Sequence, residues 1–94
     1  VGNAHPDTAT NLNNLASLYQ AQGRPADAEP LYREALAARQ KTLGAAHPDT
    51  ANSLNNLGWL YWQQGKHAAA EPLYREALAT TRRCFGDAHP ATVN

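Results

Sequence analysis

Apolar residues recur along this chain at helical spacing. Leu12, Leu15, Ala16 and Tyr19 fall at i, i+3, i+4 and i+7, one stripe of an amphipathic helix, and Leu54, Leu57, Gly58 and Tyr61 repeat it. A second pattern runs through Ala28, Leu31, Tyr32, Ala35 and Leu36 and returns as Ala70, Leu73, Tyr74, Ala77 and Leu78. No strand-like alternation appears. Pro6 and Pro48 suit a first helical turn, where a missing N–H costs nothing. Asp7 and Asp49 then sit near the positive end of a helix dipole. Gly23 and Gly65 suit left-handed caps ending one helix of each pair, and Gly44 and Gly86 the other. Pro30 and Pro72 fall inside the second pattern, where each removes a backbone bond and favours a kink, tolerable in the opening turns. These signals predict helices over 6–22, 25–43, 48–64 and 67–85, with the last few residues opening a fifth.

The patterns recur because the sequence does. His-Pro-Asp-Thr occurs at 5–8 and at 47–50, and His89-Pro90-Ala91-Thr92 begins a third copy, a period of 42 residues. Residues 5–46 and 47–88 are identical at 26 of 42 positions without a gap, and Ala28 to Ala37 returns unchanged as Ala70 to Ala79. The chain divides into a flank at 1–4, units at 5–46 and 47–88, and the truncated start of another at 89–94. Identity this high means a recent duplication or a deliberately regularised sequence, and a start at Val1 without a signal peptide reads as an excised or engineered piece.

Leu12, Leu15, Ala16, Tyr19, Gly23, Ala28, Tyr32 and Ala35, with Leu54, Leu57, Gly58, Tyr61, Gly65, Ala70, Tyr74 and Ala77, resemble the tetratricopeptide repeat (TPR). The usual unit has about 34 residues. The longer unit here, with its Gly-x-x-His-Pro-x-Thr joint and its Leu-Asn-Asn-Leu and Ala-Glu-Pro-Leu-Tyr segments, is similar to the repeats of kinesin light chain and its bacterial relatives. The sequence departs from the family in carrying Leu12 and Leu54 where a Trp is frequent, and in lacking the closing Pro. The resemblance implies an all-α fold of tandem helix-turn-helix repeats, a TPR-like α-solenoid fragment of two repeats plus the start of a third. In such stacks each helix pair buries its apolar face against its neighbours. Two repeats without a polar capping helix are short, and some of Leu73, Leu78 and Phe85 should face a missing third repeat. Self-association, helix exchange or marginal stability is expected.

Composition narrows the function. Eight Lys+Arg balance eight Asp+Glu, which argues against an electrostatic nucleic-acid binder and leaves no polybasic membrane anchor. No apolar stretch approaches the ~20 residues that span a bilayer. Cys84, the single cysteine, excludes an internal disulfide and four-thiolate metal sites, and fits the cytoplasm. Leu, Ile, Val and Phe total only 14, but 19 alanines allow close helix packing.

No catalytic set converges. His5, His47 and His89 occupy equivalent joints, too far apart to share a metal ion, and read as helix-start residues, as do His67, Asp7 and Asp49. Ser17 has no nearby His in sequence. Cys84, which stands where the first unit has Thr42, reads as a small half-buried residue rather than a reactive thiol. There is no glycine-rich phosphate loop. No metal or cofactor is expected. Arg33, Glu34, Arg39 and Lys41 read as a solvated outer face, kept in part by Arg75 and Glu76; Arg82 and Arg83 suit a helix C-terminus.

The informative surface is the far side of the first helix in each unit. With Leu12 at zero and about 100° per residue, Thr10, Asn13, Asn14, Ser17, Gln20 and Ala21 gather opposite the apolar stripe. The second unit places Asn52, Asn55, Asn56, Trp59, Trp62 and Gln63 there. In the resembled family this face lines the concave groove that receives peptides. The resemblance implies those twelve positions, and the candidate peptide-binding set among them is Thr10, Asn13, Asn14, Ser17, Asn52, Asn55, Asn56, Trp59, Trp62 and Gln63. Asn competes for backbone bonds in helix interiors, yet a carboxamide both donates and accepts and can hold a peptide backbone. Asn ladders do so in the resembled family; equally, one Asn of each pair could bond the neighbouring repeat and only stabilise the stack. Trp59 and Trp62 replace Ser17 and Gln20, three residues apart on one surface. They form an apolar platform in the groove, or Trp59 packs on the next helix of an array, or both are buried in a homodimer. The expected role is a non-enzymatic interaction scaffold for a protein or peptide partner; the rival is a repeat unit that oligomerises through its uncapped faces.

Overall fold

The structure, a computed structural model, describes residues 6–85, with side chains from 8 to 84. Its elements are α1 (Pro6–Ala21), α2 (Pro25–Thr42), α3 (Pro48–Gln63) and α4 (His67–Phe85), with no strand among the described residues. The starts fall where the sequence places them, and α1, α2 and α3 each end one residue sooner. The expected fifth helix, the Gly86 cap, His5, His89 and the side chains of Asp7 and Phe85 lie outside the described residues.

The turns explain the ends. Gly23 and Gly65 take φ of 75° and 78°, the left-handed region that favours glycine. In the first turn Arg24 N–H bonds the Tyr19 carbonyl at 2.9 Å and Gly23 N–H that of Gln20 at 3.1 Å. In the second, Lys66 and Gly65 do the same to Tyr61 and Trp62 at 2.8 and 3.0 Å. This nested pair satisfies carbonyls that a helix end leaves open. Each turn also lays a cation over the tyrosine it follows: the Arg24 guanidinium 4.7 Å from the Tyr19 ring centre, and Lys66 Nζ 5.8 Å from that of Tyr61. At the other joint His47 caps α3, its Nδ1 accepting from Asp49 N–H at 3.0 Å. Pro30 and Pro72 sit inside α2 and α4, which continue past them.

The short turns fold α1 back on α2 and α3 back on α4, and α2 packs against α3. One core runs through all four helices: Ala16, Ala28, Tyr32, Leu57, Leu60, Tyr61 and Ala70. Ala9, Ala35 and Ala38 join α1 to α2, and Ala51, Leu54 and Ala77 join α3 to α4. Alanines at the crossings let the helices approach closely.

Two expectations change. Leu15, placed on the apolar stripe, is exposed, as is Leu18. Around α1 the buried arc runs from Leu12 toward Ala9, Ala16 and Asn13, because α2 and α3 lie on that side, and Leu15 and Leu18 fall on the opposite flank, which no described residue covers. Arg39, read as part of a solvated face, is buried. It donates to Thr10 on α1 at 3.3 Å and to the Asp49 carbonyl and Ser53 Oγ on α3, both at 2.9 Å. Of the residues expected to face a missing neighbour, Leu73 packs in the core while Leu78 is exposed.

Candidate functional site

The far sides of α1 and α3 meet over an open recess of about 310 Å³, lined by Ser17, Gln20, Ala21, Tyr32, Asn56, Trp59 and Gln63. Its floor is a chain of bonds joining the two hairpins. The buried Tyr32 hydroxyl donates to Gln20 Oε1 at 2.8 Å, and Gln20 Nε2 donates to Gln63 Oε1. Burial pushes the Tyr32 phenol above its ordinary value, against a hydrogen bond to Ser17, so it stays a neutral donor. Asn56 Nδ2 donates to Asn52 Oδ1 at 3.1 Å, one turn back. Trp59 stands over this floor with half of its surface exposed.

The ten residues drawn from the sequence divide into two groups. Thr10, Asn14, Ser17, Asn52, Asn56, Trp59 and Gln63 lie on the side of their helices away from the hairpin partner; Asn14, Ser17, Asn52, Trp59 and Gln63 are exposed, and Asn56 half-buried. Thr10 also accepts from Arg39. Asn13, Asn55 and Trp62 sit on a flank about 80–100° from the Leu12 or Leu54 position. On α1 that flank faces α3. Asn13 is therefore only 8% exposed, its Nδ2 3.5 Å from Ser53 Oγ and its Oδ1 buried without a partner among the described residues. It belongs to the contact between hairpins and presents little surface toward the groove. On α3 no described residue covers the same flank. Asn55 is exposed there, and Trp62, half exposed, sets its ring 4.0 Å from that of His67 at the start of α4. The two tryptophans thus share a helix but not a pocket.

Three lining residues are outside the candidate ten. Gln20 and Ala21 share the face opposite the apolar stripe, and Tyr32 belongs to the apolar pattern of the second helix. Its long ring crosses the alanine layer and delivers its hydroxyl to the far side, which only a phenol at that position could have signalled.

Beside the recess, α2 and α3 share a charged network. Arg33 Nε and the Tyr61 hydroxyl both donate to Glu29 Oε2 at 2.9 Å, and Arg33 also donates to the Tyr61 oxygen. Burial pushes the Glu29 carboxyl up, but the bonds from Tyr61 and Arg33 outweigh it and hold the group below its ordinary value. In the second unit Glu71 and Arg75 pair at 2.9 Å on the surface, with no tyrosine joining them. Among the described residues no three His, Cys, Asp or Glu gather to hold a metal ion, and no helix is long and apolar enough to cross a membrane. Cys84, half-buried, donates to the Ala46 carbonyl at 2.7 Å.

The chain matches no curated protein. A family model described as Tetratricopeptide repeat matches residues 7–83. That span takes in both helical hairpins and the recess between them, and the chain belongs to the tetratricopeptide repeat family.

Proposed function

We propose that the chain is a non-enzymatic interaction module that holds an extended peptide or a partner helix against α1 and α3. Tetratricopeptide repeats generally mediate protein–protein interaction, and the fold is typically a non-catalytic scaffold. The observation that carries the reading is Trp59: a large indole left half exposed among carboxamides, where the first unit has only Ser17. Exposed aromatics in a polar surround are favoured anchors for a partner. Ser17, Asn14, Asn52, Asn56 and Gln63 supply donors and acceptors for a backbone. The 42-residue unit of the kinesin-light-chain kind, with repeats at 5–46 and 47–88 and a third beginning at 89, and a cytoplasmic setting belong to the same proposal. The test is affinity for a selected peptide, with circular dichroism to check the fold. Trp59→Ala or Asn56→Ala should weaken binding by about tenfold or more, roughly 1.4 kcal/mol, at unchanged helicity. Binding untouched by both would refute the groove.

A second reading rests on a different observation. Leu15 and Leu18 on one flank and Leu78 on the other are exposed, while their counterparts Leu57, Leu60 and Leu36 pack across the joint between hairpins. Copies stacking head to tail would cover both flanks. Light scattering across a concentration series separates the two: a constant mass near 10.2 kDa leaves the module monomeric, and a rising mass abolished by Leu18→Glu favours assembly.

A further inference from the structure

The charges of this chain are sorted by helix. From Thr8 to Gly23 and from Thr50 to Gly65 there is no Asp, Glu, Lys, Arg or His. All eight Lys and Arg lie on α2, on α4 or in the turns that lead into them. Several are already engaged: Arg24 and Lys66 over tyrosine rings, Arg33 and Arg75 with glutamates, Arg39 buried against α3. The recess therefore carries no charged side chain. What it offers is neutral: the Trp59 indole, the Ser17 hydroxyl, and the Gln63 nitrogen and Asn56 oxygen that the bonds described above leave unused.

This has a consequence for the ligand, given that the recess is the binding site. A carboxylate, phosphate, ammonium or guanidinium laid here would lose water and gain no opposite charge, which costs free energy. A peptide backbone loses nothing of the kind, since its N–H and C=O groups are neutral and carboxamides pair with both. We propose that the groove selects electroneutral extended segments, with a ring or branched apolar side chain on Trp59, and that it does not read a terminal carboxylate, a phosphate or a run of charge. Binding is then nearly independent of salt, because screening acts on charged pairs.

The experiment selects from a random-peptide display library on the full chain, with Trp59→Ala as the counter-selection. Affinities of capped synthetic versions are then measured from about 20 to 500 mM NaCl. Expected are peptides depleted in Asp, Glu, Lys and Arg, lost on Trp59→Ala, whose Kd changes less than about twofold over that range. Peptides rich in one sign of charge, lost on Trp59→Ala and weakening about tenfold or more with salt, would overturn this inference and leave the groove reading standing. Enrichment indifferent to Trp59→Ala, or none above background, would remove the groove reading and this inference with it.

Discussion

α1 and α3 share Leu-Asn-Asn-Leu and the tyrosine four residues on, yet the same letters have different fates. Leu57 and Leu60 are 3% and 0% exposed; Leu15 and Leu18, their counterparts, are 41% and 53%. Asn13 is buried and Asn55 exposed. The reason is position in the stack. α3 is held between α2 and α4, whereas α1 has α2 along one side, touches α3 along another and has nothing described beyond Leu15 and Leu18. Local sequence sets the helix; the neighbours decide which of its flanks is core.

Five comparisons would break or sharpen this. The largest effect belongs to Leu60→Ala, which opens a cavity in the shared core and should cost about 3 kcal/mol, against less than about 0.5 for Leu18→Ala. Urea melts of the pair read the difference, and equal losses would mean that the first flank is covered in solution. Next comes Arg39→Ala, expected to cost about 2–3 kcal/mol because it strips buried Ser53 of a donor and leaves a void between hairpins. Thr81→Ala, at the equivalent place in α4, should change stability by less than about 0.5 kcal/mol.

Tyr61→Phe removes the hydroxyl that donates to Glu29 and should cost about 1 kcal/mol, while Tyr19→Phe should cost almost nothing. The same network sets a pH dependence. Folding lowers the Glu29 pKa from its ordinary 4.5, so its stabilisation is present above that value and is lost as pH falls through the folded one. The advantage of the native chain over Glu29→Gln should therefore stand at neutral pH and fade below about pH 4.5 in acid melts. Smallest is Gly58→Ala. The added methyl would meet the half-buried Tyr74 ring at 3.2 Å, and Ala16 against Tyr32 shows that the same pairing fits. A few tenths of an ångström of ring movement should leave a net gain of about 0.5 kcal/mol from helix propensity. A loss would mean that Tyr74 is held as firmly as Tyr32.

The helices were legible because their signals are local. A proline opens α1, α2 and α3, and a glycine in the left-handed region follows each of them, whatever lies around it. The face opposite the hairpin partner was legible too, since about 100° per residue places Ser17, Asn56, Trp59 and Gln63 together without knowledge of other helices. What a wheel lacks is the neighbour's direction. Asn13 and Trp62 stand on flanks that are interior or open according to which hairpin follows, and one helix seen alone makes them look like the rest of the groove. Arg39 escaped for a related reason. Its charge reads as surface, but a long stem at the seam between hairpins lets the guanidinium reach α1 and α3 at once.

That arginine makes the two units unequal in a way their identity conceals. Thr81 occupies its place in the second unit. Were the units transposed, the new seam would set a short hydroxyl where three helices now converge on a guanidinium, and Ser53 and Thr10 would lose their common donor. The repeated units are thus not interchangeable bricks: their order is written into the chain, and shuffling or grafting them would have to carry the seam along.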